Sequence, residues 1–325
     1  MIDLILLPPA LAFITSALLI CILLRFPGLL EDRPNERSLH VRPTPRTGGI
    51  AIVVGTLCAW TVFNISEYGL TLAAAAMAIV SILDDWKGLP PLPRFSAHVL
   101  IAAGFVFFSL GSPTFWESLF LVLAIVWITN LYNFMDGADG LAAGMTIIGF
   151  GFFTALGWAA GQPSFALICA SIGAATLPFL AANFHPARLF MGDSGSITLG
   201  FLAAAIGTIG WREGVWSPFF PVFVFAPFIA DTSLTLLRRV LQGEAFWRPH
   251  RAHYYQKLIR MGFGHRTTAL SEYGIMLMSG SIGLFASNLG FEAQLAAILT
   301  WGFCLILLAS WIDRRWERKL QSAAP

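Results

Sequence analysis

The sequence predicts an all-α integral membrane protein of about eleven transmembrane helices, built as a single domain over residues 1–325. Hydrophobic residues make up 57% of the chain and charged residues only 12%, and the mean hydropathy is +0.72. Soluble domains carry about 25% charged residues, so this chain lacks the polar side chains that a water-facing surface needs. Its basic residues are also unevenly divided between alternate loops, which is typical of a membrane protein with a fixed orientation.

Each predicted span follows from an apolar stretch close to the roughly 20 residues that a helix needs to cross a bilayer. The third stretch is short and ends at Asp84, and a Gly-Gln-Pro sequence at 161–163 separates the sixth stretch from the seventh. The predicted spans are 3–24, 49–66, 69–83, 95–111, 116–132, 139–160, 163–181, 195–211, 218–237, 268–288 and 293–312.

The orientation follows from the distribution of lysine and arginine. Of the 20 basic residues, 19 fall in the C-terminal tail or in loops that follow odd-numbered spans, and only Arg212 falls on the other side. Since cytoplasmic loops are rich in basic residues, we expect these loops and the C-terminus inside and the N-terminus outside. The net charge of +2 gives no reason to expect a nucleic acid partner.

Two adjacent carboxylates, Asp84 and Asp85, close the third predicted span. At a membrane boundary they repel each other and lose hydration, and at a helix C-terminus they oppose the helix dipole. That cost favours a functional role over a solvated helix end. An aspartate-rich prenyl-diphosphate motif would place a third aspartate at position 88, where this chain has Gly88, so that alternative is weaker.

A second polar cluster follows the fifth span. Asn133, Asp136 and Asp139 recur every three residues, which predicts that they lie close to one face of a helical turn. Carboxylate and amide oxygens suit Mg²⁺ rather than zinc. An Asp-Gly turn between helices is the structural alternative. The segment also overlaps the CDP-alcohol phosphotransferase pattern, but the Ala-Arg pair and the further spaced aspartates of that pattern are absent from the sequence.

A third cluster runs from Asn183 to Ser196 and contains Gly-Asp-Ser-Gly-Ser at 192–196. This sequence opens the eighth span, and a helix N-terminus carries backbone N–H groups without intrahelical partners and a positive dipole end. We therefore expect free N–H groups that bind an anion, with Asp193 placed to connect a metal to a phosphate. A role of Asp193 as N-cap is compatible with this function.

The longest predicted cytoplasmic loop, 238–267, contains His250, Arg251 and His253 in a His-Arg-Ala-His sequence. Two imidazoles beside a guanidinium suit phosphate oxygens better than a metal. A basic loop that rests on anionic lipid headgroups is the alternative.

Together these motifs resemble those of the polyprenyl-phosphate N-acetylhexosamine-1-phosphate transferases, the superfamily that includes the bacterial MraY and WecA enzymes. The resemblance runs from Thr44–Gly49 through Asp84-Asp85, Asn133–Leu141 and Phe190–Ser196 to the His-Arg-Ala-His loop, in the family's order and spacing. Eleven spans resemble the WecA branch, and the last loop lacks the three consecutive histidines of MraY. That loop is similar to relatives that initiate O-antigen assembly with modified deoxy-N-acetylhexosamines.

The resemblance implies an active-site cleft at the cytoplasmic face of the bacterial inner membrane. Undecaprenyl phosphate would attack the β-phosphorus of a UDP-N-acetylhexosamine there, giving the lipid diphosphate-sugar and UMP. Mg²⁺, with Mn²⁺ as a substitute, is the implied cofactor, because two anions must meet and their repulsion must be offset. Direct transfer and transfer through a covalent aspartate both remain open, as does a homodimer.

The resemblance also implies a role for each candidate residue. Asn133 and Asp193 would hold the metal. Asp84 and Asp85 would orient or deprotonate the lipid phosphate or assist the metal. Asp136, the third implied catalytic residue, would hold its loop together. The implied substrate-binding residues are Arg46, Asp139, Asn183, Phe190, His250, Arg251 and His253, with Phe190 stacked on uracil.

Two other classes of protein compete with this interpretation. A secondary transporter would also carry acids within the membrane, and Asp231 in the ninth span would be its coupling residue. Such a protein is expected to show an inverted repeat and acids near the bilayer midplane, whereas most acids here lie at span ends. In a transferase, Asp231 is expected to line the cleft or pair with a polar group. A non-catalytic lipid-binding scaffold would lack the metal-binding pair.

Overall fold

The computed structural model describes residues 6–26, 28, 30–32, 43–111, 113–245 and 250–323. Every candidate site residue lies within these ranges. Four residues that contribute to the predicted orientation lie outside them: Arg33, Arg37, Arg42 and Arg248. The described residues are helical almost throughout, which confirms the predicted all-α class.

Apolar helices pack around an interior of buried aromatic and aliphatic side chains. A short antiparallel pair, β1 (Glu31–Asp32) and β2 (Thr44–Pro45), precedes the second helix. The helices are α1 (Leu7–Leu23), α2 (Gly48–Phe63), α3 (Tyr68–Lys87), α4 (Pro91–Ser109), α5 (Phe115–Phe134), α6 (Leu141–Ala159), α7 (Pro163–Asn183), α8 (Asp193–Arg212), α9 (Phe219–Val224), α10 (Ala226–Leu241), α11 (Tyr254–Leu258), α12 (Gly264–Ala286) and α13 (Phe291–Ala323). A π-helical turn, Ile259–Phe263, joins α11 to α12.

The lengths and compositions of the helices confirm an integral membrane protein. Within the described ranges, eight helical stretches are long and apolar enough to cross a membrane, and α1 and α2 are apolar but shorter. The total of eleven spans therefore stays a prediction.

The third span is longer than its apolar residues indicate, because α3 continues beyond Asp84 as far as Lys87. Gly88 ends the helix with φ at 64°, and its N–H donates to the Asp84 carbonyl at 2.8 Å. Asp84 and Asp85 are only 6% and 4% exposed. The helix therefore ends about one turn beyond the predicted bound at residue 83, and the two aspartates lie in its last turn, buried rather than solvated.

The ninth predicted span is broken rather than continuous. The break falls at Phe225, with φ −103° and ψ 11°, and Pro227 lies in the first turn of α10. Proline lacks an N–H and disfavours helical backbone at the residue before it. Carbonyl groups released within a membrane need protein partners. Ser279 donates to the Phe223 carbonyl, and Trp301 Nε1 donates to the Ser279 hydroxyl at 2.8 Å.

A close crossing of α2 and α8 positions the candidate site. A Cβ atom on Gly49 would lie 2.2 Å from the backbone nitrogen of Gly195, and one on Gly195 would lie 2.7 Å from the Gly49 Cα. Real Cβ atoms do not approach backbone so closely, so both positions require glycine. Their backbone contact places the start of α8 against the segment that follows β2.

Candidate active site

Two motifs that are far apart in the sequence, Thr44–Gly49 and Phe190–Ser196, lie side by side. The Phe190 N–H donates to the Pro45 carbonyl at 2.7 Å, and the first two N–H groups of α2 donate to the second motif at 2.9 and 2.8 Å. The Phe190 side chain is half-buried. This backbone pairing brings the two motifs to the same end of the helix bundle.

Asp85 caps the N-terminus of α8. Its Oδ1 accepts the Asp193 N–H at 3.1 Å, and its Oδ2 accepts the Ser194 N–H at 2.9 Å. Because this carboxylate already engages the first two N–H groups, the prediction of a free anion-binding terminus was wrong. The turn depends on Gly192, whose φ is +74° and whose added Cβ would lie 2.6 Å from the Arg46 carbonyl oxygen.

Arg46 holds Asp85 from the other side. Its Nη2 donates to the backbone carbonyl of Asp85 at 2.7 Å, and its Nη1 lies 3.8 Å from Asp85 Oδ1. The Arg46 side chain is 36% exposed. One face of this guanidinium therefore fixes Asp85, while another is open to an incoming anion.

Arg94 connects the two remaining aspartates of this region. Its Nη1 lies 2.7 Å from Asp84 Oδ2 and 3.3 Å from Asp193 Oδ2. Asp84 is also fixed by the Leu89 N–H, which donates to its Oδ1 at 2.7 Å. We call the group of Asp84, Asp85, Asp193, Arg46 and Arg94 the acid centre.

Arg94 was not among the site residues predicted from the sequence, where it counted only as a basic residue near a loop. It lies in the first turn of α4, and only the residues 88–90 separate α4 from α3. So short a connection packs the last turn of α3 against the first turn of α4. An arginine in one turn and aspartates in the other were the available signal, since buried charges are usually paired.

Asn133 is bonded to the first turn of α8 through Ser196, whose Oγ donates to Asn133 Oδ1 at 3.0 Å. Asn133 lies in the last turn of α5, which ends at Phe134. Asp136 and Asp139 therefore lie in the loop before α6, and the prediction that all three residues share one face of a helical turn was wrong. The two glycines of this loop favour a turn over continued helix.

Asp136 is half-buried beside the acid centre. Burial raises the pKa of its carboxyl well above the usual value, and the negative charges of Asp193 and Asp85 raise that pKa further. The carboxylates here outnumber the two arginines of the acid centre. This imbalance favours an additional cation.

Asp139 forms a second cluster with two histidines. Its Oδ2 is hydrogen-bonded to His185 Nδ1 at 2.6 Å and accepts the Ala187 N–H at 3.2 Å. Its Oδ1 lies 3.5 Å from His265 Nδ1, and the two imidazole rings stack with centroids 5.2 Å apart. We call Asp139, His185 and His265 the Asp139 cluster. Nothing in the sequence marked these histidines, because their partners are far away along the chain.

The ligand atoms of the Asp139 cluster lie within 4.8 Å of one another. A carboxylate with two imidazoles suits a transition metal rather than Mg²⁺. Hydrogen bonds alone account for the arrangement, however, because the Asp139 N–H also donates to His265 Nδ1 at 3.2 Å. We therefore interpret the cluster as a brace that fixes the Asp139 carboxylate.

Asn183 is a buried amide that braces the same loops. Its Oδ1 accepts the Gly140 N–H at 2.9 Å, and its Nδ2 donates to the Leu189 carbonyl at 2.9 Å. Both ends of the amide are thus used to shape the loops around the Asp139 cluster. The contact of Asn183 with uridine stays a prediction.

Asp231 caps a different helix, α11. Its Oδ1 accepts the Tyr254 N–H and is hydrogen-bonded to His253 Nδ1, and its Oδ2 accepts the Tyr255 N–H, all at 3.0 Å. The Thr235 hydroxyl donates to Oδ1 at 3.2 Å. Asp231 therefore pairs with neighbouring polar groups, and these contacts account for an acid at this position without a coupling ion.

The histidines of the fourth motif pack against the end of α5. His253 is 3% exposed and stacks on Phe134 at 6.0 Å, and His250 lies against His253 at 4.9 Å. Burial lowers the pKa of His250 to about 4, with further lowering by the charges of His253 and Arg239. His250 is therefore neutral at physiological pH. We call Asp231, His250 and His253 the His253 cluster.

Tyr255 ties the His253 cluster to the loop that carries Asp136. Its hydroxyl donates to the Phe134 carbonyl at 3.1 Å, and a Cβ added to Gly137 would lie 2.1 Å from that hydroxyl oxygen. Arg251 is half-buried, and its carbonyl accepts a hydrogen bond from Arg260 at 3.4 Å. The four predicted motifs thus lie at one end of the bundle. They include the N-termini of α8 and α11, each capped by an aspartate, and the loop between α5 and α6 that links these two regions.

Comparison with known proteins gives a consistent picture. Residues 68–210 match the family model for glycosyl transferase family 4. The chain is 32% identical to a probable undecaprenyl-phosphate N-acetylglucosaminyl 1-phosphate transferase of Bacillus subtilis, over 74% of this chain and 73% of the relative. It is 30% identical to a decaprenyl-phosphate N-acetylglucosaminephosphotransferase of Mycobacterium leprae, over 92% and 89% of the two chains. An Escherichia coli K12 undecaprenyl-phosphate alpha-N-acetylglucosaminyl 1-phosphate transferase is 27% identical over 89% and 85%.

Proposed function

Since the chain belongs to glycosyl transferase family 4, we propose that it transfers an N-acetylhexosamine 1-phosphate from a UDP-sugar to undecaprenyl phosphate. The products are the undecaprenyl-diphosphate sugar and UMP. The acid centre supports this proposal most directly, because it combines buried carboxylates with partly exposed guanidinium groups at one end of a membrane protein. The relatives named above carry N-acetylglucosamine and a polyprenyl phosphate in their names, which supports these substrate classes.

The sugar and the pathway are a narrower proposal. The His-Arg-Ala-His loop resembles that of relatives that use modified deoxy-N-acetylhexosamines, so we favour such a sugar as donor and the initiation of an O-antigen-type polysaccharide as the role. The His253 cluster supports a neutral contact with the sugar, since His250 carries no charge at physiological pH.

The acid centre fits Mg²⁺, with Mn²⁺ as a substitute. Asp193 and Asn133 would hold the metal, and Asp84 lies close enough to assist, since Asp84 and Asp193 already share one cationic nitrogen. All these donors are oxygens, as Mg²⁺ prefers. When bound, the metal neutralises charge on the diphosphate and on the departing UMP.

We assign different tasks to the two adjacent aspartates. Both oxygens of Asp85 accept backbone N–H groups of α8, so Asp85 positions Asp193. Asp84 Oδ2 is bonded to the Arg94 guanidinium rather than to a backbone N–H, so Asp84 is the better group to orient the lipid phosphate or to assist the metal. A phosphate oxygen of the lipid then bonds to the β-phosphorus, and the bond from that phosphorus to the bridging oxygen breaks. UMP leaves with that oxygen and its electron pair.

The remaining groups serve the donor. The open face of Arg46 is placed to bind diphosphate oxygens, since a guanidinium matches their geometry. Phe190 is half-buried and is paired through its N–H with Pro45, the residue before this arginine, which supports its proposed contact with uracil. Asp139, held by His185, would accept a hydrogen bond from the nucleoside. We place this end of the bundle at the cytoplasmic face of the bacterial inner membrane, because UDP-sugars are cytosolic and the loops there are basic.

The direct test is an assay of membranes that contain the protein. They are incubated with Mg²⁺, undecaprenyl phosphate and each member of a panel of labelled UDP-N-acetylhexosamines, and label in butanol-extractable lipid is measured together with UMP. We expect transfer by the wild type, near-complete loss in Asp84→Asn, and little change in Arg212→Gln, which removes a charge at the other end of the bundle. If no sugar of the panel enters lipid, the proposed function is wrong.

A further inference from the structure

We infer that Arg94 is an internal counter-ion, which occupies the cation position of the acid centre until a divalent metal displaces it. The inference rests on the metal proposed above and identifies what that metal must compete with. It concerns a residue that no sequence motif marked.

The position of Arg94 is the first reason. Its Nη1 lies 2.7 and 3.3 Å from the Oδ2 atoms of Asp84 and Asp193, which come from two different helices. Mg²⁺ binds oxygens at about 2.0–2.1 Å, so a metal shared by these oxygens would stand where the guanidinium nitrogen now lies. Two cations cannot occupy one position, so the arginine must leave when the metal enters.

The freedom of Arg94 to move is the second reason. Its side chain is 35% exposed, whereas the Asp84 side chain is 6% exposed and held by the Leu89 N–H at 2.7 Å. The backbone of Asp193 is fixed at the start of α8, because its N–H donates to Asp85, so its carboxylate can turn only about its own side-chain bonds. The arginine, on a longer side chain, is therefore the member of the group that can withdraw toward solvent or toward an incoming diphosphate.

Charge is the third reason. Arg46 is committed to Asp85, which leaves Arg94 as the described cation in contact with both Asp84 and Asp193. Loss of its charge leaves two close carboxylates without compensation, and such a pair attracts a divalent ion more strongly. Removal of Arg94 should therefore tighten metal binding. Removal of a residue that binds or supports the metal would weaken it instead.

The experiment measures metal binding without substrate or turnover. Full-length protein in detergent is titrated with Mn²⁺, and free Mn²⁺ is followed by electron paramagnetic resonance, with Mg²⁺ as competitor. We expect Arg94→Gln to lower the Kd for Mn²⁺ by about tenfold or more. Arg94→Lys keeps a cation in place and should stay closer to the wild type. Arg212→Gln, a matched loss of charge at the other end, should leave the Kd unchanged.

Thermal melting gives a second readout. Without metal, Arg94→Gln should melt below the wild type, because two carboxylates repel each other. Saturating Mg²⁺ should raise its Tm by more than it raises the Tm of the wild type. Arg94→Met, which keeps the apolar stem, replaces the glutamine variant if that one does not fold.

The outcomes separate this inference from the proposed metal. A Kd that is unchanged or higher in the neutral Arg94 variants overturns the inference while leaving the metal in place. If neither the wild type nor these variants bind Mn²⁺, the metal proposal itself is wrong.

Discussion

Asp85 and Asp231 do the same structural work in two different settings. Each carboxylate accepts two consecutive backbone N–H groups at the start of another helix, at 3.1 and 2.9 Å for Asp85 and at 3.0 Å for Asp231. Each thereby fixes a helix whose first residues belong to a predicted motif. The first cap is part of the acid centre, and the second is part of the His253 cluster.

The surroundings of the two caps differ in charge. Asp231 is also bonded to His253 and to the Thr235 hydroxyl, so its carboxylate is fully partnered. Asp85 lies among further carboxylates whose charges raise the pKa of Asp136. A partnered carboxylate within a membrane protein supports structure, whereas a group with surplus negative charge is suited to receive a cation. The two regions should therefore respond differently to metal and to neutralisation.

The largest expected effect is that of metal removal, which acts only on the first region. EDTA should abolish transfer and added Mg²⁺ or Mn²⁺ should restore it. Asp193→Asn should lower turnover by about two to three orders of magnitude, as when a metal clamp on a transferred phosphoryl group is lost. Labelled lipid is the measurement. Full turnover in the presence of EDTA would mean that the region around Asp85 needs no metal and does not differ from the region around Asp231 in this respect.

A matched pair of substitutions compares the caps themselves. Asp85→Asn should cost about a hundredfold or more in turnover, because it disturbs the start of α8 and removes charge from the acid centre. Asp231→Asn should cost about tenfold or less, since it disturbs only the orientation of His253. In both variants an amide N–H would face a backbone N–H, so the loss of stability should be similar. The difference in turnover between the two variants therefore reports on the reaction itself.

The same pair tests the transporter alternative. Vesicles reconstituted with each variant are assayed for flux of the UDP-sugar across the bilayer, and none is expected. Flux that requires Asp231 and survives Asp85→Asn would mean that the protein is a transporter in which Asp231 is the functional acid.

A smaller effect is expected from Phe190, in the segment that leads to α8. Phe190→Ala should raise KM for the UDP-sugar by an amount that corresponds to about 1–3 kcal/mol of lost stacking, with little change in KM for the lipid. Steady-state kinetics with each substrate varied in turn is the measurement. A change confined to KM for the lipid would mean that Phe190 contacts the lipid rather than the nucleotide.

The smallest expected effect concerns stability. The raised pKa of Asp136 means that the folded protein favours its protonated form. Stability from this preference is fully present below the usual carboxyl pKa of 3.8 and is lost as pH rises toward the raised value. Asp136→Asn should therefore raise Tm by about 2–4 °C per kcal/mol recovered at neutral pH, and melt like the wild type near pH 4. Equal melting at both pH values would contradict the burial and the neighbouring negative charges that raise the pKa of Asp136.

The all-α membrane class followed from the sequence, because the length of an apolar stretch directly reflects the thickness of the bilayer. The orientation inferred from the basic residues stays a prediction. The break at Phe225 was not predicted, although Pro227 signals it, because hydropathy records composition and not backbone geometry. The extension of α3 past Asp84 was missed for the same reason: a helix continues through charges when tertiary contacts pair them.

The site was predicted as a set of residues rather than as an arrangement. Motif order located Asp84, Asp85 and Asp193, but the cap between Asp85 and α8 joins positions more than a hundred residues apart, which one sequence cannot reveal. His185 was missed because its partner Asp139 is distant along the chain. Arg94 was missed although Asp84 is close in sequence, because the turn that brings α3 and α4 together was not predicted. The spacing of Asn133 and Asp139 suggested one helical face, but the helix ends at Phe134 and the loop that follows contains Gly137 and Gly140.

The break in the ninth span has a consequence for how the chain is assembled in the membrane. Membrane proteins are synthesised from the N-terminus, so α9 enters the bilayer before α12 and α13 exist. The Phe223 carbonyl then lacks Ser279, and Ser279 in turn lacks Trp301 until the end of synthesis. A carbonyl that lacks a full hydrogen-bond partner is costly in hydrocarbon, so we expect this part of the chain to stay within reach of water until α12 is made. The last two helices thus complete the insertion of an earlier one, and ribosome-bound chains that end before residue 264 should be recovered with the ninth span still accessible from water.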